Sequence, residues 1–166
     1  MQRPIEDLTA TAFAPFGVVI EQPARPADAN GPGWQWWAET SLLPAAERPY
    51  GIGYLSLEPA AWRVDWAERH MRGVEALIPT GGECLVYVGP AEYPNEPERP
   101  PALDRFRVFR VRQGQGVALH KGVWHGAPLA IDRALNVVVL LPQGTGGGDT
   151  SIARFAESIV ITREDS

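Results

Sequence analysis

Glycine and proline interrupt this chain of 166 residues so often that an ordinary amphipathic helix has almost nowhere to run. Seventeen glycines and sixteen prolines are dispersed along it, with short apolar runs between them. Both residues are costly inside helices, whereas short strands joined by tight turns use them at every corner. The pattern predicts an all-β chain of about eight to ten short strands with little helix.

The runs can be placed one by one. Residues 8–16 hold a helical turn or two, stopped by Pro15, and residues 17–20 form a strand. Residues 22–33 read as loop. Residues 51–57 alternate as a strand does. Residues 74–78 and 83–88 are two strands joined by Pro79-Thr80-Gly81-Gly82, the chemistry of a hairpin turn. The five prolines within residues 90–101 keep that stretch out of any sheet. In residues 106–112 Phe106, Val108 and Arg110 share one face, and Arg107, Phe109 and Val111 the other. Residues 116–119, 134–141 and 158–161 are further strands, and the glycine-rich residues 144–148 a flexible loop.

With 45% hydrophobic and 21% charged residues the chain can bury a core and is not of the disordered class. Residues 1–166 read as a single domain, with no repeat and no dividing linker. The net charge is −5 and Lys121 is the only lysine. No basic stripe exists to bind nucleic acid. A small carboxylate ligand would need a local positive site against that overall field. Cys84, alone in an apolar run, reads as a buried strand thiol and fits a reducing compartment. The N-terminal residues lack the apolar stretch of a signal peptide, and no run approaches membrane-spanning length. The expected location is cytoplasmic, with no membrane partner.

Histidine is the specific feature. His70, His120 and His125 are the only three. Glu68 and His70, two apart, share a face if their segment is extended. His125 follows the turn around Gly122 and can return to the same interior. Glu75 sits in an apolar run, where a carboxylate is costly unless paired or bound to metal. Glu68 has the alternative of a solvated strand start, and His120 that of capping the turn. Imidazole and carboxylate together suit divalent first-row metals.

Two windows carry a resemblance. Glu68-x-His70-x4-Glu75-x6-Gly82 and Gly114-x5-His120-x-Gly122-x2-His125 are similar to the two cupin motifs, with Glu in place of the first histidine and His in place of the motif proline. Glu68-Arg69-His70, later His120-Lys121-Gly122-Val123-Trp124-His125, and the opening Leu8 to Glu21 together resemble the ureidoglycolate lyase family. The resemblance implies a cupin-type β-barrel, or jelly roll, enclosing the histidines. It also implies cleavage of ureidoglycolate to glyoxylate and urea in allantoin and purine catabolism. The alternatives are another cupin enzyme, or a non-catalytic cupin that binds a small carboxylic acid.

Under the family reading His70, His125, Glu75 and Glu68 are candidate ligands of a divalent metal, nickel by resemblance. His120, His125 and Lys121 are candidate catalytic groups, and Arg110 and Trp124 candidate substrate contacts. The reaction is not a redox step, so neither NAD nor flavin is expected. A homodimer is the assembly that similar cupins adopt. One stretch departs from the family: Asn30-Gly31-Pro32-Gly33-Trp34-Gln35-Trp36-Trp37 stands where a basic, aromatic and histidine-containing run is usual, which implies an altered contact with ligand.

Overall fold

Residues 1–163 are described by a computed structural model. The first seven strands are β1 (Gln2–Asp7), β2 (Gly17–Ile20), β3 (Ala29–Gly31), β4 (Trp34–Trp36), β5 (Tyr50–Leu57), β6 (Arg63–Arg69) and β7 (Glu75–Thr80). The remaining six are β8 (Cys84–Val88), β9 (Arg107–Val111), β10 (Gly116–Leu119), β11 (Leu129–Ala130), β12 (Leu135–Pro142) and β13 (Ser151–Thr162). Helix is confined to single turns, α1 (Ala10–Phe13), α2 (Thr145–Gly148) and a 3-10 turn at Leu103–Arg105. The Thr9 hydroxyl caps α1 by accepting from the Ala12 N–H. No helix is long and apolar enough to cross a membrane.

The strands form a six-stranded sheet in the order β11-β8-β9-β1-β13-β6, a five-stranded sheet in the order β2-β10-β7-β12-β5, and the β3–β4 hairpin. The predominance of strand agrees with the sequence reading, but the cupin-type β-barrel does not. Each large sheet ends in two edge strands that do not pair with each other. Closure demands that the last strand bond to the first, and here it does not. The six-stranded sheet instead curls. Leu85, Tyr87 and Val108 pack in one apolar cluster with Val64, Ala67, Ala153, Ile159 and Ile161 from its far strands. A second cluster lies between the sheets, where Leu77, Val117 and Val137 meet Cys84, Val86, Phe109 and Val111.

Three local expectations also change. The turn at residues 79–82 carries Gly81 at φ 82°, but β7 and β8 belong to different sheets and form no hairpin. Turn chemistry marks where a strand ends, not the partner that the next strand then finds. Residues 22–33 are not all loop, because Ala29–Gly31 pairs with Trp34–Trp36. The Trp34 indole lies across Gly31, where a Cβ would stand 2.6 Å from ring atoms. Residues 144–148 are a stitched turn, not a free loop: the Thr145 hydroxyl donates to the Pro142 carbonyl and the Asp149 N–H to the Thr145 carbonyl. Cys84 is fully buried, as its apolar run implied, and burial first, then the Glu83 charge, pushes its thiol up to about 12.

Candidate active site

The site begins with a two-residue seam. Glu68 at the end of β6 and His125 exchange both backbone hydrogen bonds, 2.7 and 2.8 Å. Trp124 exchanges another pair with Gly89, just beyond β8, at 2.7 and 3.0 Å. Residues 124–125 thus bridge β6 and the end of β8 without closing the sheet. Gly122, at φ 78°, makes the preceding turn, and its N–H donates to the His70 carbonyl at 2.7 Å.

Antiparallel register then decides which side chains meet. Glu68, His70 and His125 each offer a ligand atom, and the three atoms lie within 4.8 Å of one another. Glu75 arrives from the other sheet. It stands opposite Leu119 of β10 and shares the inner face of β7 with Leu77. Its Oε2 is 3.1 Å from Nε2 of His70 and 3.1 Å from Nε2 of His125. The two rings make an edge-on pair with centroids 5.2 Å apart. They retain only 5% and 3% of their surface, so bulk water is largely excluded.

The tautomers follow from the acceptors. His70 Nδ1–H donates to the Asp149 carbonyl at 3.0 Å, and His125 Nδ1–H to the Val123 carbonyl at 2.9 Å. A carbonyl can only accept, so both Nδ1 atoms keep their protons. Each Nε2 is therefore the atom left to carry a proton or a metal, and both face one carboxylate oxygen. Burial works to raise the Glu75 carboxyl, but the hydrogen bonds from His125 and His70 outweigh it and hold it at about 2. Burial works to lower the His70 imidazole, yet Glu75 and the Asp149 carbonyl outweigh that and raise it. Two imidazole nitrogens with their second nitrogens pinned, beside two carboxylates, form a donor set suited to a divalent metal.

Of the residues singled out from sequence, His70, His125, Glu68 and Glu75 converge here. His120 and Lys121 are exposed on the turn that precedes the seam. Among the described residues neither side chain has a hydrogen-bond or ion-pair partner. Trp124 is fully buried on the reverse of the seam, so it has no surface to offer a substrate. Arg110 pairs with Glu83 at 2.6 Å and lines a separate cleft with Ile5, Trp62 and Arg163 that contains none of the histidines. Strict alternation along residues 106–112 allowed an inward guanidinium, but Arg110 is exposed and paired with Glu83, just before β8.

Sequence reasoning missed Asp149. Its carbonyl orients His70, while its carboxylate accepts from the backbone N–H groups of Met71 and Arg72 at 3.1 and 2.8 Å. The only sequence signal was an aspartate directly after a run of glycines, where short polar side chains commonly capture turn N–H groups.

Comparison with known proteins shows the family to which the chain belongs. The family model described as ureidoglycolate lyase matches residues 2–162. A ureidoglycolate lyase of Rhizobium etli (strain CIAT 652) is 31% identical over 147 residues, covering 86% of this chain and 85% of that protein. One from Pseudomonas putida (strain W619) is 32% identical over 149 residues, with 86% and 85% covered. Among solved structures, a dTDP sugar isomerase from Desulfovibrio desulfuricans G20 aligns at 17% identity with a TM-score of 0.39, covering 86% of this chain and 80% of that one.

Proposed function

The chain belongs to the ureidoglycolate lyase family, and from that premise we propose that the buried histidine–glutamate cluster cleaves ureidoglycolate to glyoxylate and urea. The observation that carries this reading is the convergence of two Nε2 atoms, from positions far apart in the chain, on one oxygen of Glu75. Ureidoglycolate bears a hydroxyl, a carboxylate and a urea nitrogen on a single carbon. Its cleavage takes the proton from the hydroxyl as the carbon–nitrogen bond breaks, and returns a proton to the departing nitrogen. No electrons change hands.

His70, His125 and Glu68 are the residues that would hold a divalent ion, which we take to be nickel. A bound ion supplies positive charge that acidifies a hydroxyl. The chain's own contributions are positional and electrostatic. The carbonyls of Asp149 and Val123 commit both Nδ1 protons, so any proton held or moved by these rings is at Nε2. Glu75 is ionised at neutral pH and stabilises whatever positive charge collects between the rings. Burial of both imidazoles keeps these interactions from being screened by water. His120 and Lys121 are exposed on the turn leading to His125, and a cation there would favour a substrate carboxylate.

The decisive assay uses protein purified without chelator and loaded with nickel, supplied with ureidoglycolate. Urea and glyoxylate should appear in equal amounts. Urea no faster than in the protein-free control overturns the reading.

A further inference from the structure

The register that brings Glu68 opposite His125 also sets Arg69 opposite Trp124, on the reverse of the same seam. We propose that Arg69, stacked on Trp124, is a positioning residue that fixes the spacing of the two histidine-bearing segments. Arg69 keeps 1% of its surface and Trp124 none. The guanidinium carbon lies 4.6 Å from the indole centroid, within the range where cation and ring attract. Arg69 immediately precedes His70, and Trp124 immediately precedes His125. Any sliding of the seam that separates the rings on one face must break this stack on the other.

The same guanidinium ties down a third segment. It donates to the carbonyls of Glu92, Tyr93 and Glu96 at 2.8, 3.0 and 2.8 Å, all within the proline-rich stretch that follows β8. That stretch also begins beside the seam, because Gly89 pairs with Trp124. Among the described residues no carboxylate pairs with Arg69, and its Nε has no acceptor. A buried cation without a counter-ion is expensive, and an apolar side chain would fill the same volume without that cost. What an apolar residue lacks is the fork of donors that binds three carbonyls while its plane lies on an indole. The arrangement buys register, and register sets the distance between the two Nε2 atoms.

This inference rests on the lyase reading only in its activity arm. Arg69→Met keeps bulk and removes the fork; Arg69→Lys keeps charge and part of the donor set. Nickel alone is titrated into each protein, kcat and KM for urea release are measured, and 15N shifts of both histidine rings are recorded after chelator treatment. Arg69→Met should weaken nickel binding about 10- to 100-fold, the range seen when residues that orient metal ligands are lost. It should lower kcat with little change in KM and alter the ring shifts, while Arg69→Lys recovers part of each. Val137→Ala, a core truncation elsewhere, serves as the control for simple destabilisation and should leave nickel affinity unchanged. Parent-like nickel affinity and ring shifts in Arg69→Met, or equal losses in Val137→Ala, would overturn the proposal. If Arg69→Met does not fold, Arg69→Lys alone decides by the same ring shifts. Absence of urea from the parent protein would count against the lyase reading, while the ring shifts still decide the role of Arg69.

Discussion

The seam around Glu68 and His125 and the hairpin of Ala29–Trp36 are both short antiparallel pairings rich in aromatic residues, yet they have opposite characters. In the seam, Trp124 is wholly buried, and the paired backbone is stitched to a second segment at Gly89. In the hairpin, Trp34 and Trp36 leave 53% and 58% of their surface exposed, and β3 and β4 form a sheet of their own. The seam is held by partners 35 and 57 residues apart in the chain, Gly89 with Trp124 and Glu68 with His125; the hairpin is held by its neighbours. Geometry needed to fractions of an ångström can be kept only where distant segments over-determine it. The hairpin, free of that constraint, spans the stretch that the sequence reading expects to differ from the family.

The largest expected difference tests the seam. His125→Ala removes one of the two nitrogens that face Glu75, and urea release should fall by about 10²–10⁴-fold, the range for a positioned acid–base group. Steady-state rates measured beside melting curves separate this from unfolding. Retention of a tenth or more of parental turnover would mean that the seam does not carry the chemistry.

The next difference is read in stability. The Glu75 carboxyl lies at about 2 in the folded protein against an ordinary value of 4.5. Its contribution is therefore complete above pH 4.5 and is lost as pH falls toward 2, on the order of 3 kcal/mol in all. The His70 imidazole is raised from its ordinary 6.5, so its contribution is present below pH 6.5 and lost as pH climbs through the raised value. In chelator-treated protein both limbs pass through the same carboxylate. Glu75→Gln should flatten the acid limb and the neutral limb together in denaturant titrations between pH 3 and pH 8. A variant curve that merely runs parallel to the parent would show that the His70 ring does not depend on Glu75.

How much of this was readable beforehand follows the same division. His70, His125 and Glu75 could be picked out because their types and spacing are unusual: histidines near glycine turns, and a carboxylate within an apolar run. Most strand positions were readable from alternation and from the prolines that end each run. Pairing was not. β1 is short and polar, and its parallel partners β9 and β13 lie at least a hundred residues away, so no local signal marks it. Barrel closure failed as an expectation because it depends on whether edge strands meet, a property of the whole sheet's curl. Arg69 was passed over because an arginine in a strand ordinarily faces water. Only the cross-strand placement of Trp124 reveals that this one does not.

The smallest expected effect tests the hairpin. Trp34→Ala and Trp36→Ala should each change unfolding free energy by no more than about 0.5 kcal/mol, as exposed substitutions usually do. They should leave nickel affinity and kcat for ureidoglycolate at parental values, because β3 and β4 pair only with each other. KM is the informative quantity. If it rises while kcat holds, the hairpin meets the substrate before the chemistry, and its residues tune which ligand is admitted. If kcat falls as steeply as in His125→Ala, the hairpin is part of the machinery and the contrast with the seam fails. If neither constant moves, the two pairings are functionally as separate as their burial makes them, and residues 30–37 have no bearing on the reaction.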